Sequence, residues 1–409
     1  MNEQAPAMPR PLAGVRVLDL SRVLAGPYCA QMAADMGAGV VKVEPLGGDY
    51  TRQWGASSSN GESISFITVN RNKRSVALDI GTVVGRNALR ELIAQSDVVI
   101  EDLTPAEAKR LKLTYEENRR DHADLIQIHV DYYGDLGPRR NEEGAELPAQ
   151  AMLDYPGGLG AIGEPPVRVG CDLGSMNASV FAFQGMLAAL IERDSSGEGQ
   201  HVAVSAAGAL AFLKTFIIAA PSDPDEWGGF HLEAWTKPRN HGYKTKDGEV
   251  VMDLRFRSAT SETPYEDLMK EMGLTDLLQD PRFAVSADVA GTGKYAPQLH
   301  SIWEEHLKEM TSEEVLTIVR KHGAECFEIT NYRSIAEHPQ TAALGILREV
   351  PHPSGGTFKT IGNPWKFGDG ERAQDSAPPT LGRDTDAVLT EAGVSTEVIA
   401  DLRGKGAIR

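Results

Sequence analysis

Short apolar runs rich in β-branched residues recur along the first half of the chain, and stretches with helical spacing separate them. Residues 15–20 (VRVLDL) predict a strand, 21–27 (SRVLAGP) a turn, 28–36 a helix and 40–44 (VVKVE) a second strand. Together they make a βαβ unit whose strands are parallel neighbours. The alternation continues with a strand at 74–79, an amphipathic helix at 84–95, and strands at 97–101 (DVVIE) and 125–130 (LIQIHV). A long apolar helix at 180–193 (VFAFQGMLAALIER) ends in the polar, glycine-containing turn 194–199, and a strand follows at 201–204. This order predicts an α/β fold, with a parallel sheet covered by helices on both faces.

Beyond this point the pattern changes. The large domain takes residues 1–205, and 206–240 reads as a linker, its second half dense in proline, glycine and charge. Residues 241–325 predict a smaller α+β domain, with a hairpin over 243–254 turning at Asp247-Gly248 and helices at 264–272, 297–308 and 312–321. The tail, 326–409, returns to the large domain with short strands, Pro/Gly turns and one last helix at 384–392.

Composition narrows the partners. The 409 residues carry 41 basic against 58 acidic side chains, a net charge of −17, which disfavours nucleic acid but leaves room for an anion at a local basic pocket. Cys29, Cys171 and Cys326 are too far apart for a disulfide framework or a zinc motif, and predict buried thiols in a reducing compartment. The first residues contain no apolar signal core and no run approaches 18 apolar residues, so a soluble, cytoplasmic protein is expected.

Candidate chemistry is sparse. The first βα turn has only Gly26 where a dinucleotide fingerprint needs three glycines. Glu44 has the spacing of a ribose-binding acid, and an NAD-dependent oxidoreductase rests on that residue alone; its other reading is a solvated strand end. Residues 70–74 (NRNKR) place Arg71, Lys73 and Arg74 before a strand, a turn that reads first as solvated surface and otherwise as a phosphate site. CDLGSMN lacks the second glycine of a nucleophile elbow, and the scattered histidines form no metal motif.

These segments in their order resemble the family III CoA-transferases, the formyl-CoA transferase or carnitine CoA-transferase family. The resemblance is carried by PLAGVRVLDLSRVLAGPYCAQMAADMGAGVVKVEPLGGDYTR, NKRSVALD, VVIEDLTP, GEPPVRVG, LAALIERDSSGEGQHVAVS, VPHPSGGTFKTIGNPWKF and PPTLGRDTDAVLTEAG. It implies a Rossmann-like large domain, a smaller α+β domain and two interlocked subunits. It also implies a coenzyme A thioester as substrate and no tightly bound cofactor. By matching position, Val23, Leu24 and Ala25 line the site and Glu44 and Pro45 flank the adenine. Leu78 through Gly81 follow, Asp102 and Leu103 end a strand, and Arg110, with Lys73 and Arg74, meets phosphate. Departures cluster in the same loops: Gly81 replaces a frequent lysine, Tyr132 stands where the family has a flexible glycine, and Asp131 adds an acid beside a polyanionic ligand.

The family works through an aspartate that carries first the acyl group and then CoA. By matching position it falls at Ser175, whose ester a thiolate would not readily reverse, with no base evident beside it. Some members pair two different chains, as in the succinyl-CoA:(R)-benzylsuccinate CoA-transferase of anaerobic toluene degradation. The expectation is therefore a non-catalytic subunit paired with a homologous family III CoA-transferase subunit that carries the aspartate. Two alternatives stand beside it: Asp172 as a displaced nucleophile, and racemase- or lyase-like chemistry on an acyl-CoA. The racemases use a histidine that residues 145–150 lack.

Overall fold

Apolar residues fill the inner strands of the sheet, which are buried on both faces, while the last strand is more exposed. The computed structural model describes residues 10–56, 63–158, 165–215, 242–254, 256–283, 296–353, 355–367 and 375–409. Strands β1 (Arg16–Asp19), β2 (Gly39–Glu44), β3 (Lys73–Ala77), β4 (Val98–Glu101), β5 (Ile126–Asp131) and β6 (His201–Ser205) form one parallel sheet in the order β3-β2-β1-β4-β5-β6. That order reverses between β1 and β4, the point at which doubly wound sheets bind ligands.

Each face of the sheet has its own core. On one, Cys29, Ala33, Ala182, Phe183 and Met186 bring the helices Ala25–Asp35 and Leu173–Ser196 together. On the other, Leu89 and Ile93 of the helix Val83–Ala94 pack with Val388, Leu389, Ile399 and Leu402 of the tail. The tail thus returns to the sheet, and a bridge from Leu78 to Ile408 fixes its end. The helix Leu173–Ser196 has the length and hydropathy of a membrane span, yet its apolar face is spent on this core.

Several expectations shift. The helix predicted at 180–193 begins at Leu173; its first turns bury Gly174, Ser175 and Ala178, small residues that leave no large-apolar pattern to read. Ser175 therefore lies in a helical first turn. Residues 206–213, read as linker, form the helix Ala206–Leu213 with Ser205 as its cap, while 216–241 lie outside the described residues. A further helix, Thr396–Gly404, follows the one expected last, with the Ser395 hydroxyl accepting from Val398 N. Cys171 is exposed rather than buried; Cys29 and Cys326 are buried as read.

The second unit takes residues 157–167 and 219–341. Its hairpin pairs β7 (Gly242–Lys244) with β8 (Glu249–Asp253), and β9 (Glu325–Glu328) extends the sheet, so the unit continues past 325. Trp303, 1% exposed, anchors its core with Met269, Leu307 and Val319.

Candidate active site at the sheet switch point

Two cavities open at the carboxyl ends of the strands. The first, about 360 Å³, is lined by Leu20, Ser21 and Arg22 after β1, Val43 to Leu46 after β2, Leu78 to Gly81 after β3, Leu103 after β4, and by Asp49, Glu107, Arg110 and Leu111. The second, about 380 Å³, is lined by Arg22, Val23, Leu24, Ala25, Tyr50, Asp102, Thr104, Val130, Asp131, Tyr132, Glu142, Glu143 and Gly144. Arg22 borders both. Of the residues expected at the site, Val23, Leu24, Ala25, Pro45, Leu78, Asp102, Leu103 and Arg110 all line one cavity or the other. Val23 holds φ at 65°, a left-handed conformation that a β-branched residue adopts only under constraint, and such strain concentrates at functional turns.

Lys73 and Arg74 do not belong to the site. The Lys73 ammonium is buried beneath the turn, 2.8 Å from Asp19 Oδ2, and donates to Pro27 O and Asn70 Oδ1. Arg74, one residue on and so on the opposite face of the strand, forms a bidentate pair with Glu391 of the tail. Arg71 is likewise buried and paired with Asp35. The cation-rich turn was legible, but its spacing said nothing of which face each cation takes. Glu44 is no solvated strand end: it is fully buried, with Arg52 donating at 2.6 and 2.8 Å and Ser75 Oγ at 2.7 Å. Burial raises its carboxyl, and Arg52 with Lys42 overrides this and holds it below its ordinary value.

Several acids of the walls have cationic partners. Asp49 lies 2.9 Å from the Lys42 ammonium. Asp102 accepts from Arg22 N and Arg22 Nε, and burial lifts its carboxyl to about 6 against the pull of that guanidinium. Asp131 has Oδ2 3.5 Å from His129 Nε2, and His129 Nδ1 is 3.2 Å from Glu101 on the other side. Burial would push the imidazole down, yet Asp131 and Glu101 raise it to about 10, so it is a cation beneath the cavity. The acid at 131, expected to oppose a polyanion, is thus countered from below. Arg110 has no ion pair among the described residues, and Arg86, missed in the sequence, caps the carbonyls of Ile80 and Gly81 where the expected lysine is absent.

The second cavity ends on Tyr132. Gly144 makes this ring possible: a Cβ there would stand 2.2 Å from Tyr132 Cβ. The Tyr132 hydroxyl is 3.2 Å from Ser175 Oγ, in the first turn of Leu173–Ser196. Ser175 is fully buried and donates its hydroxyl to Glu146 Oε2 at 2.7 Å. The same carboxylate accepts from Ser175 N (2.9 Å), Gly174 N (2.7 Å) and Gln150 Nε2 (2.7 Å). Glu146, the first residue of Glu146–Met152, therefore caps another helix, where its charge meets the positive end of the helix dipole. This corrects the expectation that Ser175 has no base beside it. The signal was faint, since no local spacing links 146 to 175. Asp172, the alternative nucleophile, stands at the N-terminal boundary of this helix. It makes no capping bond and pairs instead with Arg168 at 2.7 Å.

The sheet order, with cavities at its crossover turns, defines a doubly wound α/β protein whose site lies at the switch point. Residues 12–385 match CoA-transferase family III, and the chain belongs to that family. It is 33% identical, over 97% of its length and 88% of the relative's, to an acyl-CoA transferase of Fusarium pseudograminearum. It is 30% identical, over the whole of both chains, to a succinyl-CoA–D-citramalate CoA-transferase of Chloroflexus aurantiacus. A solved CAIB/BAIF family protein from Brucella suis superposes with a TM-score of 0.79 at 25% identity, covering 95% of this chain and all of that one.

Proposed function

We propose that this chain binds an acyl-CoA in the paired cavities and transfers its CoA to a free carboxylic acid, with succinyl-CoA as donor and a substituted dicarboxylate such as benzylsuccinate as acceptor. The observation that carries the reading is the path from Arg110, Pro45 and Leu78 at one end, past Arg22, to Tyr132 beside Ser175 and Glu146 at the other. A nucleotide with phosphates suits the first cavity and a slender arm ending in a thioester the second. Arg110→Glu is expected to raise the Kd for CoA about tenfold or more, the scale of one lost charge-assisted bond. Calorimetry with CoA tests this, and an unchanged Kd removes the phosphate site from the first cavity.

A second reading is favoured by the serine at 175 itself. Here the chain is a non-catalytic subunit, interlocked in the cytoplasm with a homologous subunit that supplies the aspartate. The purified chain alone and the chain co-expressed with a homologous neighbour should then differ: silence alone and succinyl-CoA-dependent transfer together support the pairing. A normal rate from the chain alone ends it.

A further inference from the structure

We propose that Glu146 is the acyl carrier of this chain, its carboxylate replacing from another helix the one that position 175 lacks; this rests on the CoA-transfer reading above. Transfer between two carboxylic acids without loss of the thioester's free energy needs a carrier that forms bonds of similar reactivity. A carboxylate does so, as an anhydride and then a thioester, whereas a serine ester is too stable to return. Ser175 Oγ touches Glu146 Oε2 at 2.7 Å, so the carboxylate stands in the space a longer acidic side chain at 175 would need. Tyr132, which lines the second cavity, reaches the same serine hydroxyl.

The surroundings suit the chemistry. Gly174 N and Ser175 N donate to different oxygens of Glu146, Oε1 and Oε2, from the end of a 24-residue helix. When Cδ is attacked, whichever oxygen bears the charge keeps a backbone donor aimed at it. Gln150, itself fully buried, holds Oε1 with its amide, and its own Oε1 has no partner among the described residues.

The steps balance without a further reactant. A Glu146 oxygen attacks the thioester carbonyl, the C–S bond breaks, and CoA leaves as thiolate from a mixed anhydride. The thiolate then attacks Glu146 Cδ, forming a C–S bond and releasing the donor acid, which takes the bridging oxygen. The acceptor carboxylate attacks Cδ of this glutamyl thioester and expels the thiolate, which finally attacks the acceptor's acyl carbon. The bridging oxygen, contributed by the acceptor, stays on Glu146.

The test follows that oxygen. The purified wild-type chain turns over succinyl-CoA with an acceptor acid labelled in its carboxylate with heavy oxygen, and peptide mass mapping locates the label. Label on the peptide containing Glu146, together with a thousandfold or larger loss of kcat in Glu146→Gln at unchanged CoA affinity, is the expected result. Glu146→Asp, which keeps the carboxylate, should bind CoA like the wild type and retain part of the rate. Label on Asp172 or on a co-purified homologous subunit, or full transfer by Glu146→Gln, overturns the assignment while leaving CoA transfer intact. Absence of CoA binding in the wild type refutes the transferase reading instead, and the carrier assignment falls with it.

Discussion

Asp19→Ala is expected to cost the protein about 3–5 kcal/mol of folding stability, the scale for removing one member of a buried ionic cluster. Asp19 is fully buried, with Lys73 Nζ 2.8 Å and Lys42 Nζ 3.9 Å from its Oδ2. Its other oxygen accepts from Ser21 N at 3.1 Å and from the Ser21 hydroxyl. Burial raises this carboxyl, but the two ammonium groups override it and hold it below its ordinary value. Asp49 balances Lys42 at 2.9 Å, so the cluster is neutral as built. Without Asp19, two buried ammonium groups share one carboxylate. Lys73 keeps only the carbonyl of Pro27 and the amide oxygen of Asn70. Denaturant unfolding checks the loss, and a shift worth under about 1 kcal/mol would show that water reaches the cluster. A double variant, Asp19→Leu with Lys73→Met, should recover a large part of it, because charge and countercharge leave together. The cluster matters to the site because it lies beneath the turn that carries Ser21, Arg22 and the strained Val23.

The strands of the sheet were readable because most are short apolar segments rich in β-branched residues and closed by a turn, and the observed bounds differ from the expected ones by a residue or two. Pro45, Leu78, Leu103 and Arg110, named by resemblance, line one cavity at the strand ends. What failed has a common cause. Lys73 and Arg74 are adjacent in sequence, so a pleated strand sends them to opposite faces, and neither reaches the cavity. Glu44 looked solvated because Arg52 and Ser75, its partners, come from a different turn and a neighbouring strand. Glu146 stayed hidden because its role arises from a contact across 29 residues, made by a helix whose small-residue start concealed its true beginning. Local periodicity reports burial and element type, and it is silent about which charge finds which partner in space.

His129→Gln is expected to destabilise the fold by about 3–5 kcal/mol at neutral pH and to weaken CoA binding with it. The imidazole is 3% exposed and bridges Glu101, at 3.2 Å, and Asp131, at 3.5 Å. Glutamine can offer an amide to one of them but no charge to either. His201, whose ring lies 6.4 Å away, is engaged by Tyr115 and does not replace it. The pH dependence follows from the direction of the shift. Burial would lower the His129 value, but the two carboxylates raise it to about 10, above the ordinary 6.5. The stability it contributes is therefore fully present below about pH 6.5 and is lost as pH climbs through about 10. The gap between wild type and His129→Gln should be widest near pH 6 and close steadily on the alkaline side. Unfolding curves across that range measure it, and a gap that stays constant would mean the histidine is neutral throughout and acts by packing alone. The same titration reaches the ligand, because Asp131 lines the second cavity and loses its counter-charge when His129 does. CoA affinity should accordingly decline over the same alkaline window in the wild type, and in His129→Gln it should already be weak at neutral pH and vary little with pH.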